Sequence, residues 1–239
     1  MTKKKTVAKG KLIVVDGADG SGKATQAALL ARALRRRGLQ VKAIDFPQYQ
    51  NFFGSLIGRY LAGEFGDFIK SDPYLVSVLY AADRFESSRR VRAWLDKGHV
   101  VIADRYVSAN QIHQGGKIAD LDKRKQFLDW LDEMEFQIFG IPRPDLVIYL
   151  EVPAQISAKL IEKKEALARK KYLAGGKKDV AENDLEHQRA SRTSALELVR
   201  GHNFWKQINC APAGQLLPRE AIHEWVVAAT LPVLKLKSL

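Results

Sequence analysis

Four short apolar runs punctuate the chain: KLIVVDG (11–17), LQVKAIDFP (39–47), HVVIAD (99–104) and DLVIYLEV (145–152). The first, third and fourth are almost continuously apolar, as strands buried on both faces of a parallel sheet must be. Helix-like stretches fill the gaps. One runs over 23–37 and stops at Gly38. A longer one opens at Ser71-Asp72-Pro73 and runs to about Lys97, where Gly98 ends it. Further helices are expected at 122–139, 154–171, 182–204 and 219–230. This βαβα alternation predicts a three-layer α/β fold in one domain spanning 1–239. There is no internal repeat. The basic, glycine-containing KKYLAGGKKD (170–179) reads as a loop between two helices. Trp205 and Trp225 are expected in the core.

At 239 residues, with 46% apolar and 28% charged positions, the chain can build a packed core and is not a disordered one. Its single cysteine, Cys210, cannot form an internal disulfide, which fits a reducing compartment. The first apolar run ends after four residues at Asp16, too soon for a secretory leader, and no stretch reaches membrane-spanning length. A cytoplasmic protein that does not enter membranes is expected.

Lys and Arg number 39 against 27 acids, a formal charge of +12, which points to polyanionic partners: nucleic acid, an acidic membrane or phosphorylated small molecules. Between Lys159 and Lys178 stand eight bases and two acids, so half of the excess sits in one segment. Smaller knots are Lys3-Lys4-Lys5 and Arg35-Arg36-Arg37. By itself such a run is equally a solvated face.

The sharpest chemical signal is Gly17-Ala18-Asp19-Gly20-Ser21-Gly22-Lys23, directly after the first strand and opening the first helix. Successive backbone N–H groups in such a turn form an anion nest, and the helix N-terminus adds partial positive charge. Glycines admit phosphates close to the backbone, and Lys23 reaches the β- and γ-phosphates. The strict pattern places Ser or Thr after that lysine to hold Mg²⁺; here Ala24 stands there and Thr25 follows. Residues 17–25 are therefore the expected nucleotide-phosphate site. A second signal is Asp104-Arg105-Tyr106 at the end of the third strand run. Open α/β sheets bind ligands outside those strand ends, so the triplet should face the glycine loop. A carboxylate there suits Mg²⁺ or its water, and an arginine can clamp two phosphates. The same pair is also an ordinary strand-capping ion pair.

These segments, together with FPQY (46–49), YAADRFE (80–86), DRYVSANQIHQGG (104–116), RPDLVIYLEV (143–152) and DVAENDLEHQ (179–188), resemble the thymidylate kinase family in order and spacing over about residues 10–205. The resemblance implies a P-loop nucleoside-monophosphate kinase fold with a lid at about 163–180. It implies ATP and dTMP as nucleotide partners, Mg²⁺ as cofactor, and a homodimer packed through long helices, with neither membrane nor nucleic acid as partner.

Residue by residue, the resemblance gives Tyr80 a stacking role on thymine and Arg84 a bond to its exocyclic oxygen. Their i, i+4 spacing puts both on one helix face. Asn110 matches the amide that reads the N3 edge of the base, and His113 stands near the sugar 2′ carbon, where the family often has tyrosine. Phe46 would cover the base and Tyr49 approach the acceptor phosphate. Asp19 matches an acid between sugar, metal and acceptor phosphate, and Glu186 an acid near the metal; Asp104 joins them as a metal residue. The glycine loop lacks an arginine, so the lid would supply the catalytic cation. Arg169, Lys170 and Lys171 are the candidates, with Lys163 and Lys164 behind them. Lys23, Arg105, Asp19 and Arg169 make up the expected catalytic set. Two other readings stay open: a kinase for another pyrimidine nucleoside monophosphate, and a nucleotide- or nucleic-acid-binding module without phosphoryl transfer.

Overall fold

Strand β1 (Lys11–Gly17) is buried from Leu12 onward and forms the middle of the sheet. It does so in a computed structural model that describes residues 8–66, 70–167 and 185–237. On one side it pairs with β3 (Val100–Asp104), which in turn pairs with β2 (Val41–Asp45). On the other it pairs with β4 (Leu146–Glu151), followed by β5 (Trp205–Asn209). The order β2-β3-β1-β4-β5 is parallel throughout, so all five strands point their C-terminal ends to one edge.

The period-two alternation of strand side chains assigns the two layers. Leu12, Val14, Val101, Ala103, Val147 and Tyr149 face a core completed by Val91 and Leu95 of α3 (Pro73–Asp96), Phe127 and Leu131 of α5 (Leu121–Asp132), and Leu198 of α7 (Leu185–Gly201). The intervening Ile13, Val15, Val100, Ile102, Ile148 and Leu150 face the other core, with Leu30 and Leu34 of α1 (Lys23–Arg36) and Val226 of α8 (Arg219–Thr230). Each such Leu, Ile or Val contributes about 1.5–3 kcal/mol by leaving water. A smaller cluster joins α2 (Phe52–Leu61), through Ile57, Tyr60 and Leu61, to Val76 of α3. The short α4 (Val107–His113) follows β3, and α6 (Ala154–Leu167) follows β4.

The expected helix boundaries hold where a stop or start signal marks them. Gly38 and Gly98 take positive φ of 81° and 77°, each donating its N–H back to a helical carbonyl. The Asp72 side chain caps α3 by accepting from Tyr74 N (2.9 Å) and Leu75 N (3.0 Å), with Pro73 in the first turn. Other expectations need correction. The helix expected over 122–139 is α-helical only to Asp132 and widens into a π-helical turn, Glu133–Ile138, marked by Phe139 N donating to Met134 O. The second run is a strand only over Val41–Asp45, and helix 182–204 ends at Gly201. Strand β5 and helices α2 and α4 were not expected. Trp205 is buried in the core, but Trp225 is 46% exposed on α8. Cys210 is buried, and that burial pushes its thiol up to about 12.

Candidate active site

The C-terminal edge of the sheet brings the two chemical signals together. Val15 of β1 lies in register with Asp104 of β3, so the glycine loop after β1 and the turn after β3 are neighbours. Arg105 N donates to Val15 O at 3.1 Å, tying them. The loop's shape needs glycine at both ends. A Cβ on Gly17 would stand 2.6 Å from Leu150 O, and Gly22, the residue before α1, has φ of 88°. No side chain caps the first turn of α1 and no acid stands in it. Its N–H groups are thus presented as a cationic cradle, which suits phosphate. Ser21 is buried in the loop with its hydroxyl unpaired, while Ala24 and Thr25 are exposed on the first turn.

Lys23 is buried and folds back over the loop, donating to Ala18 O at 2.8 Å and lying 3.6 Å from Asp19. Burial, helped by the neighbouring Arg105 charge, lowers its pKa to about 8. Arg105 has φ of 65°, a left-handed conformation that non-glycine residues avoid and that recurs at functional sites. Its guanidinium forms an ion pair with Asp19, lies 3.7 Å from Asp16, and meets His113 Nε2 at 3.1 Å. Burial alone would pull its pKa down, but Asp19, Asp16 and Asp104 outweigh that and hold it above its ordinary value. A guanidinium only donates, so His113 Nε2 accepts and the ring carries its proton on Nδ1. Burial, then Arg105 and His187, keep His113 well below its usual pKa and therefore neutral. Burial raises the pKa of Asp104, countered by Lys23 and Arg105.

A second group lies along α3 and α4. Tyr80 is half-buried and packs with Tyr49 on the Ile57–Val76 cluster. Phe46 is buried, its ring 5.6 Å from that of Tyr106. Arg84, one turn after Tyr80, is fully buried against Glu135. Asn110 is buried and donates from Nδ2 to Ser77 O at 3.2 Å, which ties α4 to α3. Asp83, next to Arg84, accepts from Gln48 N at 3.1 Å, and burial raises its carboxyl to about 6.

The structure therefore gathers Asp19, Lys23, Asp104, Arg105 and His113 into one electrostatic cluster, and Tyr49 with Tyr80 into an adjoining apolar one. Glu186 is exposed on the first turn of α7. Arg169, Lys170, Lys171 and most of the expected lid lie outside the described residues, as do the side chains of Lys163 and Lys164. Asp16, His187 and Glu135 were not singled out from sequence. Asp16 is completely buried, accepting from Ser108 Oγ at 2.6 Å and from its own neighbour Gly17 N at 2.8 Å. Its signal was a lone acid ending an apolar strand run. His187 stacks on His113 at 5.7 Å and, with Gln188, Asp19 and Ala18, lines a cavity of about 20 Å³. Glu135 had no sequence signal, since its partner lies far away in the chain.

Comparison with known proteins agrees with this geometry. The family model described as thymidylate kinase matches residues 15–216. Thymidylate kinase of Mycobacterium tuberculosis is 31% identical over 189 residues, covering 79% of this chain and 85% of that protein. The probable thymidylate kinase of Pyrococcus abyssi is 33% identical over 222 residues, covering 92% and 95%. The solved thymidylate kinase of Candida albicans superimposes with a TM-score of 0.67 at 23% identity, covering 94% of this chain and 93% of that one, and so shares its fold. With the family model matching most of its length and relatives 31% and 33% identical over most of both chains, the chain belongs to the thymidylate kinase family.

Proposed function

We infer that the chain phosphorylates dTMP to dTDP with ATP by in-line transfer, acting as one P-loop kinase domain with the basic stretch 163–180 as its lid. The observation that carries this reading is the convergence of Lys23, Arg105 and Asp19 beside an uncapped helix N-terminus. ATP lies with its phosphates on residues 17–25. dTMP enters over α3, with Tyr80 stacking on thymine, Phe46 closing the base side, and Arg84 and Asn110 on its polar edge. His113 stands by the sugar and Tyr49 by the acceptor phosphate.

An oxygen of the dTMP phosphate attacks the γ-phosphorus as the bond to the β,γ-bridging oxygen breaks, and ADP leaves. The acceptor phosphate is already ionised, so no general base is needed. The protein positions the two nucleotides and neutralises the migrating charge with Lys23 and Arg105. Arg105 is held at the reaction edge before substrate arrives, by Asp16, Asp19 and His113. Arg169 is assigned the remaining cation by the resemblance alone.

Among the described residues Asp19, Asp104 and Glu186 form no ready-made metal cluster, and Asp19 is paired with Arg105, so an Mg²⁺ here would be held mainly by phosphate oxygens and water with Asp19 and Asp104 as the neighbouring carboxylates. When bound, the ion supplies charge neutralisation at the phosphates. The lone buried thiol of Cys210 supports work in the reducing cytoplasm. A homodimer through α3 is part of the same reading.

The test is a steady-state assay with MgATP and TMP, dUMP, UMP, dCMP and dGMP, run beside Lys23→Ala and Arg105→Ala. TMP should be the preferred acceptor. Each variant should lose roughly 10²–10³-fold in kcat, the scale of one preorganised charge at a developing anion. Preference for another monophosphate overturns the base assignment. ATP binding without turnover on any acceptor overturns the kinase.

A further inference from the structure

The one ion pair sealed inside the described core lies beneath the base side, not at the phosphates. Arg84 and Glu135 are 1% and 0% exposed. Arg84 Nε donates to both Glu135 oxygens, at 2.9 and 3.1 Å, and Nη2 donates to Oε1. Nη1 donates to Tyr106 O at 3.2 Å. Burial by itself would pull the arginine's pKa down, but Glu135 more than offsets this and keeps it charged. A guanidinium has five N–H groups. One on Nε, one on Nη2 and one on Nη1 are engaged, which leaves one on each terminal nitrogen.

Such a pair is a poor way to stabilise a core, because desolvating both charges costs as much as or more than their attraction returns. Its geometry explains it better. Glu135 grips the Nε–Nη2 edge of the guanidinium as a fork, which fixes the plane of the group. It also cancels the charge, so what remains for a ligand is a pair of aimed donors rather than a cation. Glu135 meets Arg84 from within the π-helical turn at Glu133–Ile138, which departs from the α-helical side-chain register of α5.

We propose that Glu135 is a positioning residue that turns Arg84 into a reader of the 4-oxo group of the pyrimidine, and so sets discrimination between thymine and cytosine. The proposal rests on the assignment of Arg84 to the base made above. Donors held in a fixed plane donate to a carbonyl oxygen at C4 and find no acceptor in the 4-amino group of cytosine, which only donates there. A neutralised guanidinium gives no advantage to a phosphate in its place.

The full chain is assayed with MgATP and either TMP or dCMP, using Glu135→Gln, Glu135→Asp, Arg84→Met and the double variant Arg84→Met/Glu135→Leu. Glu135→Gln should raise KM for TMP at least about tenfold while kcat and KM for ATP stay within about threefold, and should narrow the TMP-over-dCMP ratio of kcat/KM. Glu135→Asp keeps the carboxylate and should recover part of the lost discrimination. Arg84→Met should show the same defect. The double variant should be no worse than Arg84→Met alone, since Glu135 acts through Arg84.

The double variant removes both buried charges and should melt near the parent, so it reports even where Glu135→Gln folds badly. Retained TMP preference in a folded double variant overturns the proposal. So does an unchanged TMP KM in Glu135→Gln when Arg84→Met is defective, or strictly additive effects of the two sites. An unchanged TMP KM in Arg84→Met strikes the assignment of Arg84 to the base instead, and is told apart in this way.

Discussion

Lys23 is buried at a cost to the free protein, and in the ATP-binding role proposed for it the two consequences have opposite signs with pH. Burial and Arg105 bring its pKa from an ordinary lysine value down to about 8. Between about 8 and the unfolded value the unfolded chain carries the proton and the folded chain does not. Folding stability from this group therefore rises with pH across that window, and its destabilising effect is fully present below it. ATP binding runs the other way, because the phosphates need the protonated ammonium. KM for ATP should climb above pH 8, at most about tenfold per pH unit. The melting temperature of the free protein, taken as the difference from Lys23→Met, should rise over the same range. A KM that stays flat from pH 7 to 9 would show that Lys23 is not titrating there. The residues of this cluster were legible because they sit in contiguous motifs, where the spacing of Gly17, Gly22 and Lys23 or the adjacency of Asp104 and Arg105 carries the geometry. Asp16 and Glu135 were not, since what makes each matter is a partner brought in by the sheet or by a turn far along the chain.

At the scale of elements, α3 shows what local chemistry can specify. Its start is written in Asp72-Pro73 and its end in Gly98, and each signal acts on backbone groups within a few residues. Asp72→Ala removes the acceptor for two first-turn N–H groups and should cost roughly 1 kcal/mol of stability, read from denaturant unfolding, with the midpoint moved and the slope unchanged. A cost near zero would mean that Pro73 alone fixes the turn. Strand β5 carries no comparable mark. Of Trp205-Lys206-Gln207-Ile208-Asn209 only the first and fourth residues are buried, a spacing that suits a helix as well as a strand, so pairing with β4 decides the outcome. The π turn after α5 is likewise a tertiary product. Nothing in EMEFQI departs from helical composition, and the turn widens where Glu135 meets Arg84. Trp225 misled for a related reason: tryptophan is usually buried, but on α8 the core face is taken by Ile222 and Val226.

For the whole molecule, α3 has a second use. Leu75, Val78 and Phe85 are 71%, 41% and 49% exposed and fall at i, i+3 and i+10 on one face of the helix. The face continues past the helix, since the Phe85 ring meets that of Phe139 at 5.0 Å and Ile138 beside it is exposed. Scattered surface apolar residues need no explanation, but large apolar side chains aligned along one face of the longest described helix do. A symmetric dimer is the simplest cover, because a two-fold axis lets one self-complementary face bury itself. We propose that the homodimer implied by the family resemblance has its surface here, on the helix whose other face carries Tyr80 and Arg84. Phe85→Glu and Leu75→Lys place charge on that stripe without touching the core, so the chain should stay folded and sediment as a monomer where the parent is a dimer. Trp225→Glu is the control: it alters an equally large exposed ring on α8, across the sheet, and should leave the dimer intact. A parent that sediments as a monomer, or a Phe85→Glu variant that remains dimeric, would remove α3 as the interface. Dissociation by both α3 variants with the Trp225 variant unaffected would fix the contact to this face, and would place the helix that carries Tyr80 and Arg84 at the subunit junction.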